Sequence, residues 1–165
     1  MKLLHLNSSW EIFLEEIASI FDFTFTRQGE LWTGDSLVYQ YSISVTSYST
    51  KEHLDSIILS AQDDREKHVK ARILYSLYAC GYLEVTDIQY PTYQSWKSQY
   101  PGATLDHKLP IRWFPEYTFD CSNWQPLPAE KNAEKGDDFL EEGLSKIEQL
   151  EQNLLNIIAR YSNSN

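Results

Sequence analysis

The chain has 165 residues, of which 42% are hydrophobic and 23% charged, and its formal net charge is −10. This length is typical of one domain with a buried core. The charge argues against binding to nucleic acid or to an anionic membrane, because both need excess lysine and arginine, and it permits a basic partner. No apolar run approaches the roughly 18 residues of a membrane span. The start, MKLLHLNSSW, lacks a signal-peptide core, so we expect a cytoplasmic protein.

Motifs that would indicate a metal, a cofactor or a familiar enzyme are missing. Cys80 and Cys121 form no CxxC pair, and the four histidines have no zinc-ligand spacing. Phosphate-binding glycine loops, H-E-x-x-H and G-x-S-x-G do not occur. We therefore expect no cofactor and no metal site, and we favour a non-enzymatic protein over an enzyme. An enzyme would need a site assembled from distant residues, with these candidates: Asp63, His68, His107 and Asp120.

The first elements in the chain are a short strand and a helix. Lys2–Leu6 suits a strand. Ser8 and Glu11 have the spacing of a capping box, which predicts a helix from about residue 9 to residue 22. Acidic side chains crowd this helix, and a solvated face is the expected reason for them.

Three strands are predicted next, at Phe23–Arg27, Glu30–Thr33 and Leu37–Val45. Turn signals separate them at Gln28-Gly29 and Gly34-Asp35. The third strand alternates apolar and polar residues, a pattern that predicts an antiparallel meander covered on one face.

A pair of helices follows. Ser49 and Glu52 predict a capped helix from about residue 50 to residue 61. Asp63 or Asp64 suits the start of a central helix, and Gly81 suits the left-handed residue that ends it. One long bent helix is the alternative. The central helix carries a basic cluster surrounded by four acids, for which we expect internal ion pairing: Arg65, Lys67, Lys70 and Arg72.

Residues 82–128 differ in composition from the rest of the chain. They hold all six prolines and ten of the 23 aromatic residues. We predict strands at Tyr82–Ile88, Ile111–Phe114 and Glu116–Asp120, and a short helix at Thr92–Gln99. Aromatic rings on irregular loops are typical of contact surfaces, although they also anchor irregular backbone to a core. The predicted partner-binding residues are Arg112, Trp113, Phe114, Tyr117 and Trp124.

The C-terminal region is predicted to be a linker from Leu127 to Gly136 and a long acidic helix from Asp137 to Tyr161. Apolar residues recur along this helix at heptad-like spacing: Leu140, Ile147, Leu150, Leu154 and Ile157. Two interpretations stay open, since the helix can pack back onto the domain or pair with a second chain to form a homodimer.

Together these patterns predict an α+β fold. An antiparallel sheet of about four to six strands packs against three main helices in a domain of residues 1–128, and residues 129–165 form the linker and the terminal helix. The leading hypothesis is a non-enzymatic, acidic protein-binding module, and its sharpest version is an inhibitor or immunity-type protein that masks a basic partner. The alternatives are the enzyme above and an acidic mimic of nucleic acid that uses carboxylates of residues 11–22 and 137–151.

Overall fold

The structure, a computed structural model, describes residues 2–135, 154–155 and 157–160. It is a mixture of helices and strands, and its sheets include antiparallel ones, so the α+β class is confirmed. In chain order the elements are β1 (Leu4–Asn7), α1 (Glu11–Phe21), β2 (Phe25–Thr33), β3 (Ser36–Ile43), β4 (Ser47–Ser49), α2 (Lys51–Leu59), α3 (Asp64–Ala79), β5 (Leu83–Val85), α4 (Tyr93–Gln99), β6 (Thr104–His107), β7 (Trp124–Leu127) and α5 (Ala129–Lys135).

The strands divide among three sheets, so the prediction of a single sheet of four to six strands is wrong. β1, β3 and β2 form an antiparallel sheet in that order, β4 pairs with β5, and β6 pairs with β7. The β4–β5 pair is parallel, and α2 and α3 form the crossover between its two strands. The proline-rich chain after β5 forms only one further short antiparallel pair, β6–β7.

β2 is one continuous strand, whereas two strands separated by a turn at Gln28-Gly29 were predicted. The pairing with β3 shifts by one residue between Arg27 and Gly29, which is a β-bulge. A Cβ atom on Gly29 would come within 2.9 Å of Oε1 of Gln40, the end of a flexible side chain that can move aside, so the bulge does not require glycine.

The predicted helix pair, α2 and α3, is confirmed, and the cap of α2 differs from the predicted one. Thr50, not Ser49, caps α2 by accepting a hydrogen bond from the backbone of His53. Asp63 caps α3, and Gly81, at φ 83°, follows its end. Before α1, the capping box predicted from Ser8 is not formed. Asn7 instead caps the 3-10 turn at Ser8–Trp10 by accepting a hydrogen bond from the Ser9 amide.

α3 lies at the centre of the core and contacts α1, α2, β1 and β5. Tyr78 on α3 is fully buried, and its ring lies 5.6–6.1 Å from the rings of Tyr93, Phe119 and Trp124. Aromatic rings thus fasten the irregular region to the core, as predicted. The strands expected at residues 111–114 and 116–120 are instead turns, including a 3-10 turn at Pro115–Tyr117, because prolines at 110 and 115 provide no amide donor for a ladder.

Residues 129–135 form helix α5, so the linker predicted there is corrected. α5 contacts β6, and its last residue, Lys135, is buried. The long C-terminal helix is not shown: Leu140, Ile147 and Leu150 lie outside the described residues, whereas Leu154 and Ile157 are helical and 48% and 47% exposed. Within the described part of the chain, none of the helices has the length and apolar character needed to cross a membrane.

Candidate functional site

A groove of about 540 Å³ lies where three parts of the chain meet. It is lined by Trp10, just before α1, and by residues of the first turns of α3: Asp64, Arg65, Lys67, His68 and Val69. Residues of the turn between Arg112 and Glu116 complete the lining. We call this feature the Trp113 groove, and its volume is in the range of ligand-binding clefts.

Two tryptophans form the apolar walls of the Trp113 groove. Trp113 is 61% exposed, and the Arg112 guanidinium lies 5.0 Å from the centroid of its ring. The turn is held by Pro110, whose carbonyl accepts hydrogen bonds from the amides of both Trp113 and Phe114. The Trp10 ring contacts His68 edge to face. Trp113 is therefore presented to solvent by a fixed backbone and is not left on a loose loop.

The lining of the groove is locally basic, in contrast with the whole chain. Arg65, Lys67 and Arg112 contribute three positive charges, and Asp64 and Glu116 contribute two negative ones. Among the residues that the structure describes, neither Arg65 nor Lys67 takes part in an ion pair. The groove thus joins aromatic side chains to two cations, Arg65 and Lys67, that form no ion pair within the described residues.

The predicted partner-binding residues occupy different environments. Arg112 and Trp113 line the groove. Phe114 is half-buried and Tyr117 is exposed, and their rings are 6.4 Å apart. Trp124 is only 6% exposed, and its Nε1 donates to the Thr118 carbonyl, so it belongs to the core and not to a contact surface.

A second, polar cavity of about 210 Å³ lies between α3, β6 and α5. Its charged and polar lining comes mainly from Arg72, Tyr75, Asp106, His107 and Lys135. We call it the Lys135 cavity. Of these side chains only His107 was a candidate from the sequence. The others are far apart in the chain, and nothing in the local pattern indicated that they meet.

The ion pair of this cavity, Lys135 with Asp106, has the geometry of a contact that holds the fold together. The side chains of Lys135 and Asp106 are only 3% and 5% exposed. The ammonium donates to both carboxylate oxygens of Asp106 at 2.8 Å and to the His107 carbonyl at 2.6 Å, so its three protons are all used. Gln125 donates a further hydrogen bond to Asp106. This satisfied network attaches the end of α5 to β6.

His107 is held in a neutral form. Its Nε2 atom donates to the Thr118 carbonyl at 2.9 Å, since a carbonyl only accepts. Burial lowers the pKa of His107 to about 4, and the nearby charges of Arg72 and Lys135 act in the same direction. A general base acts best when its pKa is near the working pH, so this imidazole is poorly matched to acid–base chemistry at neutral pH.

The candidate catalytic residues have separate roles. Asp63 caps α3, and Asp120 caps a 3-10 turn by accepting from the amide and hydroxyl of Ser122. His68 lies on the Trp113 groove and His107 on the Lys135 cavity. Within the described residues, no group of three histidine, cysteine or acidic side chains is arranged to hold a metal ion.

Two of the carboxylates on α1 are engaged within the fold. Glu11 pairs with Arg27, and Glu16 pairs with Lys70. The second acidic set needed for a nucleic-acid mimic, residues 137–151, lies outside the described residues. The mimic hypothesis therefore stays a prediction.

Comparisons of the chain with protein-family models, with curated proteins and with solved structures found no match, so its function has to be inferred from the geometry of the Trp113 groove and of the Lys135 cavity.

Proposed function

We propose that the protein is a non-enzymatic protein-binding module and that the Trp113 groove is its contact surface. The observation that supports this most is the exposed Trp113 ring, covered by Arg112 in a groove that a second tryptophan, Trp10, also lines. Tryptophan and arginine are the residue types that most often dominate the binding energy of protein interfaces.

The backbone around Trp113 supports the same proposal. Two hydrogen bonds to the Pro110 carbonyl and the proline at position 115 restrain the turn. A side chain that is already oriented loses little conformational entropy when a partner binds, so more of the contact energy remains as affinity. An irregular, proline-bounded turn therefore suits a binding surface.

The Lys135 cavity favours the module over the enzyme. Its lysine and aspartate satisfy one another, and its histidine is neutral and hydrogen-bonded to backbone. These groups are arranged as a buried structural network that fixes α5, and nothing in it resembles an activated nucleophile beside a base.

Three finer expectations remain proposals. The inhibitor or immunity-type version rests on the net charge of −10, which would speed encounter with a basic partner. A cytoplasmic location rests on the sequence alone. Homodimer formation through Leu154 and Ile157 would show as a fall in molar mass by light scattering when both residues are replaced by glutamate.

The test is capture of partners from a native extract by the full chain and by two matched variants. Trp113→Ala removes the exposed ring of the groove, and Trp32→Ala removes a ring that is 69% exposed on β2. We expect Trp32→Ala to retain the captured proteins and Trp113→Ala to lose them. Equal capture by Trp113→Ala and the unmodified chain would contradict the proposal.

A further inference from the structure

The Trp113 groove differs in charge from the molecule that carries it, and this difference concerns the kind of partner that fits. We propose that the partner segment seated in the groove is an acidic peptide carrying one large apolar or aromatic side chain. This inference rests on the proposed function and deepens it. It also departs from the basic partner that the net charge of −10 suggests.

Arg65 occupies a position where a cation does not stabilise the fold. It is the second residue of α3, where the positive end of the helix dipole disfavours a cation. Two of its acidic neighbours are engaged elsewhere, since Asp63 accepts from the Glu66 amide as the helix cap and Glu66 pairs with Lys70. Arg65 thus has an unfavourable interaction with the helix dipole and no ion pair within the described residues to offset it. We take this as support for an external anionic partner.

The basic cluster of α3 contains one lysine that is paired with acids of the fold and other cations that line the groove. Lys70 is buried and lies 2.8 Å from Glu66 and 3.1 Å from Glu16. Lys67 is half-buried on the groove, and among the described residues it forms no ion pair. The internal pairing expected from the sequence thus accounts for Lys70, whereas Arg65 and Lys67 add positive charge to the groove.

The two acids of the groove do not cancel this charge fully. Asp64 is in the first turn of α3, and Glu116 is in the first turn of the 3-10 turn at Pro115–Tyr117. Their two negative charges against the three positive charges of Arg65, Lys67 and Arg112 leave the lining with a formal charge of +1. The remaining potential of the lining favours an anionic ligand.

The walls of the groove define the rest of the ligand. Trp10 and Trp113 line the groove together with the buried Val69. An aromatic side chain placed against either ring gains apolar contact and ring–ring attraction. Carboxylates that flank this side chain in the partner would then lie near Arg65 and Lys67. The partner therefore needs an aromatic side chain and carboxylates in one short segment.

The experiment measures fluorescence anisotropy of three labelled peptides with the full chain. The first has one phenylalanine flanked on both sides by glutamates, the second replaces the glutamates by lysines, and the third replaces the phenylalanine by alanine. We expect the first to bind and the other two to bind at least about tenfold more weakly. Binding of the first should also weaken as salt rises, because exposed charges are screened.

Matched variants assign the binding to the groove. Arg65→Ala and Lys67→Ala should each weaken the first peptide roughly two- to five-fold, as expected for a partly exposed charge pair. Lys131→Ala removes an exposed lysine of α5 and should leave the affinity unchanged. Equal weakening by Lys131→Ala would overturn the inference, because charge alone would then explain the binding.

Failure of the inference can be told apart from failure of the proposed function. If the lysine peptide binds best and Trp113→Ala abolishes its binding, the groove is a contact surface but the acidic ligand is wrong. Absence of binding by the first peptide overturns the inference, and extract capture by Trp113→Ala then decides the proposed function separately. A dimer that Trp113→Ala converts to a monomer would identify a second copy as the occupant and overturn the acidic peptide.

Discussion

Replacement of Lys135 by methionine tests whether the Lys135 cavity is a structural network. The change removes the cation and keeps most of the apolar stem. Asp106, whose side chain is only 5% exposed, would then lose both hydrogen bonds from the ammonium, and the His107 carbonyl would lose the ammonium proton that it accepts. A buried carboxylate without its counter-charge is strongly destabilising.

The loss of unfolding free energy expected for Lys135→Met is bounded from two sides. Loss of one partner of a buried ion pair costs about 3 to 5 kcal/mol if the surroundings stay in place. The protein can relieve this cost by releasing α5, which breaks the two hydrogen bonds that Asn132 donates to Thr104 and Leu105. Two neutral hydrogen bonds are together worth about 2 kcal/mol. We therefore expect a loss between about 2 and 5 kcal/mol.

The assay is urea unfolding at pH 7, with hydrogen exchange to follow the amides of α5. Lys131→Met is the matched control, because it makes the same change at an exposed position of the same helix, and it should alter the unfolding free energy by less than about 0.5 kcal/mol. Asp106→Leu with Lys135→Met should recover part of the loss, since no charge is left buried. A loss under about 1 kcal/mol for Lys135→Met would refute the reasoning.

Three further predictions concern single side chains. His107 is neutral in the fold because burial lowers its pKa to about 4 from 6.5. Its contribution to the free energy of unfolding is therefore full above pH 6.5 and is lost as the pH falls towards 4. The loss should be of the order of 3 kcal/mol by urea unfolding, and His107→Gln should remove it. The hydrogen bond from Lys70 lowers the pKa of Glu66, so Lys70→Met should raise that pKa in an NMR titration. Trp113→Ala should cost about 1 kcal/mol or less in thermal unfolding, because the exposed ring loses little beyond its contact with Arg112.

The parts of the fold that were predicted correctly depend on local chemistry. Asp63 marks the break between α2 and α3, because a short carboxylate satisfies the free amides of a helix start, and Gly81 marks its end. The chemistry of Gly29 is less specific, since glycine suits both a turn and a bulge. Only the pairing of β2 with β3, whose register shifts between Arg27 and Gly29, distinguishes the two.

Helix α5 shows why other parts could not be predicted. Its sequence, AEKNAEK, has no apolar stripe, so periodicity does not identify a docked helix. It is attached through the polar side chains of Asn132 and Lys135, and their partners on β6 are about 30 residues earlier in the chain. Such an attachment exists only once the fold is formed.

The candidate site was predicted in part for the same reason. Arg112 and Trp113 were identified because large rings and an arginine in a proline-bounded segment are typical of contact surfaces. Trp124 has the same local signal but lies in the core. Trp10 and Arg65 were missed as groove residues, since only tertiary packing brings the start of α1 beside the start of α3.

Photo-crosslinking from position 113 tests the central claim most directly. A photoreactive phenylalanine analogue replaces Trp113 in the full chain, and the same analogue replaces Trp32 in a second sample. After irradiation in native extract, the account predicts a discrete protein adduct from position 113 and none from position 32. The account would be contradicted by the same adducts from both positions, or by adducts from position 32 alone.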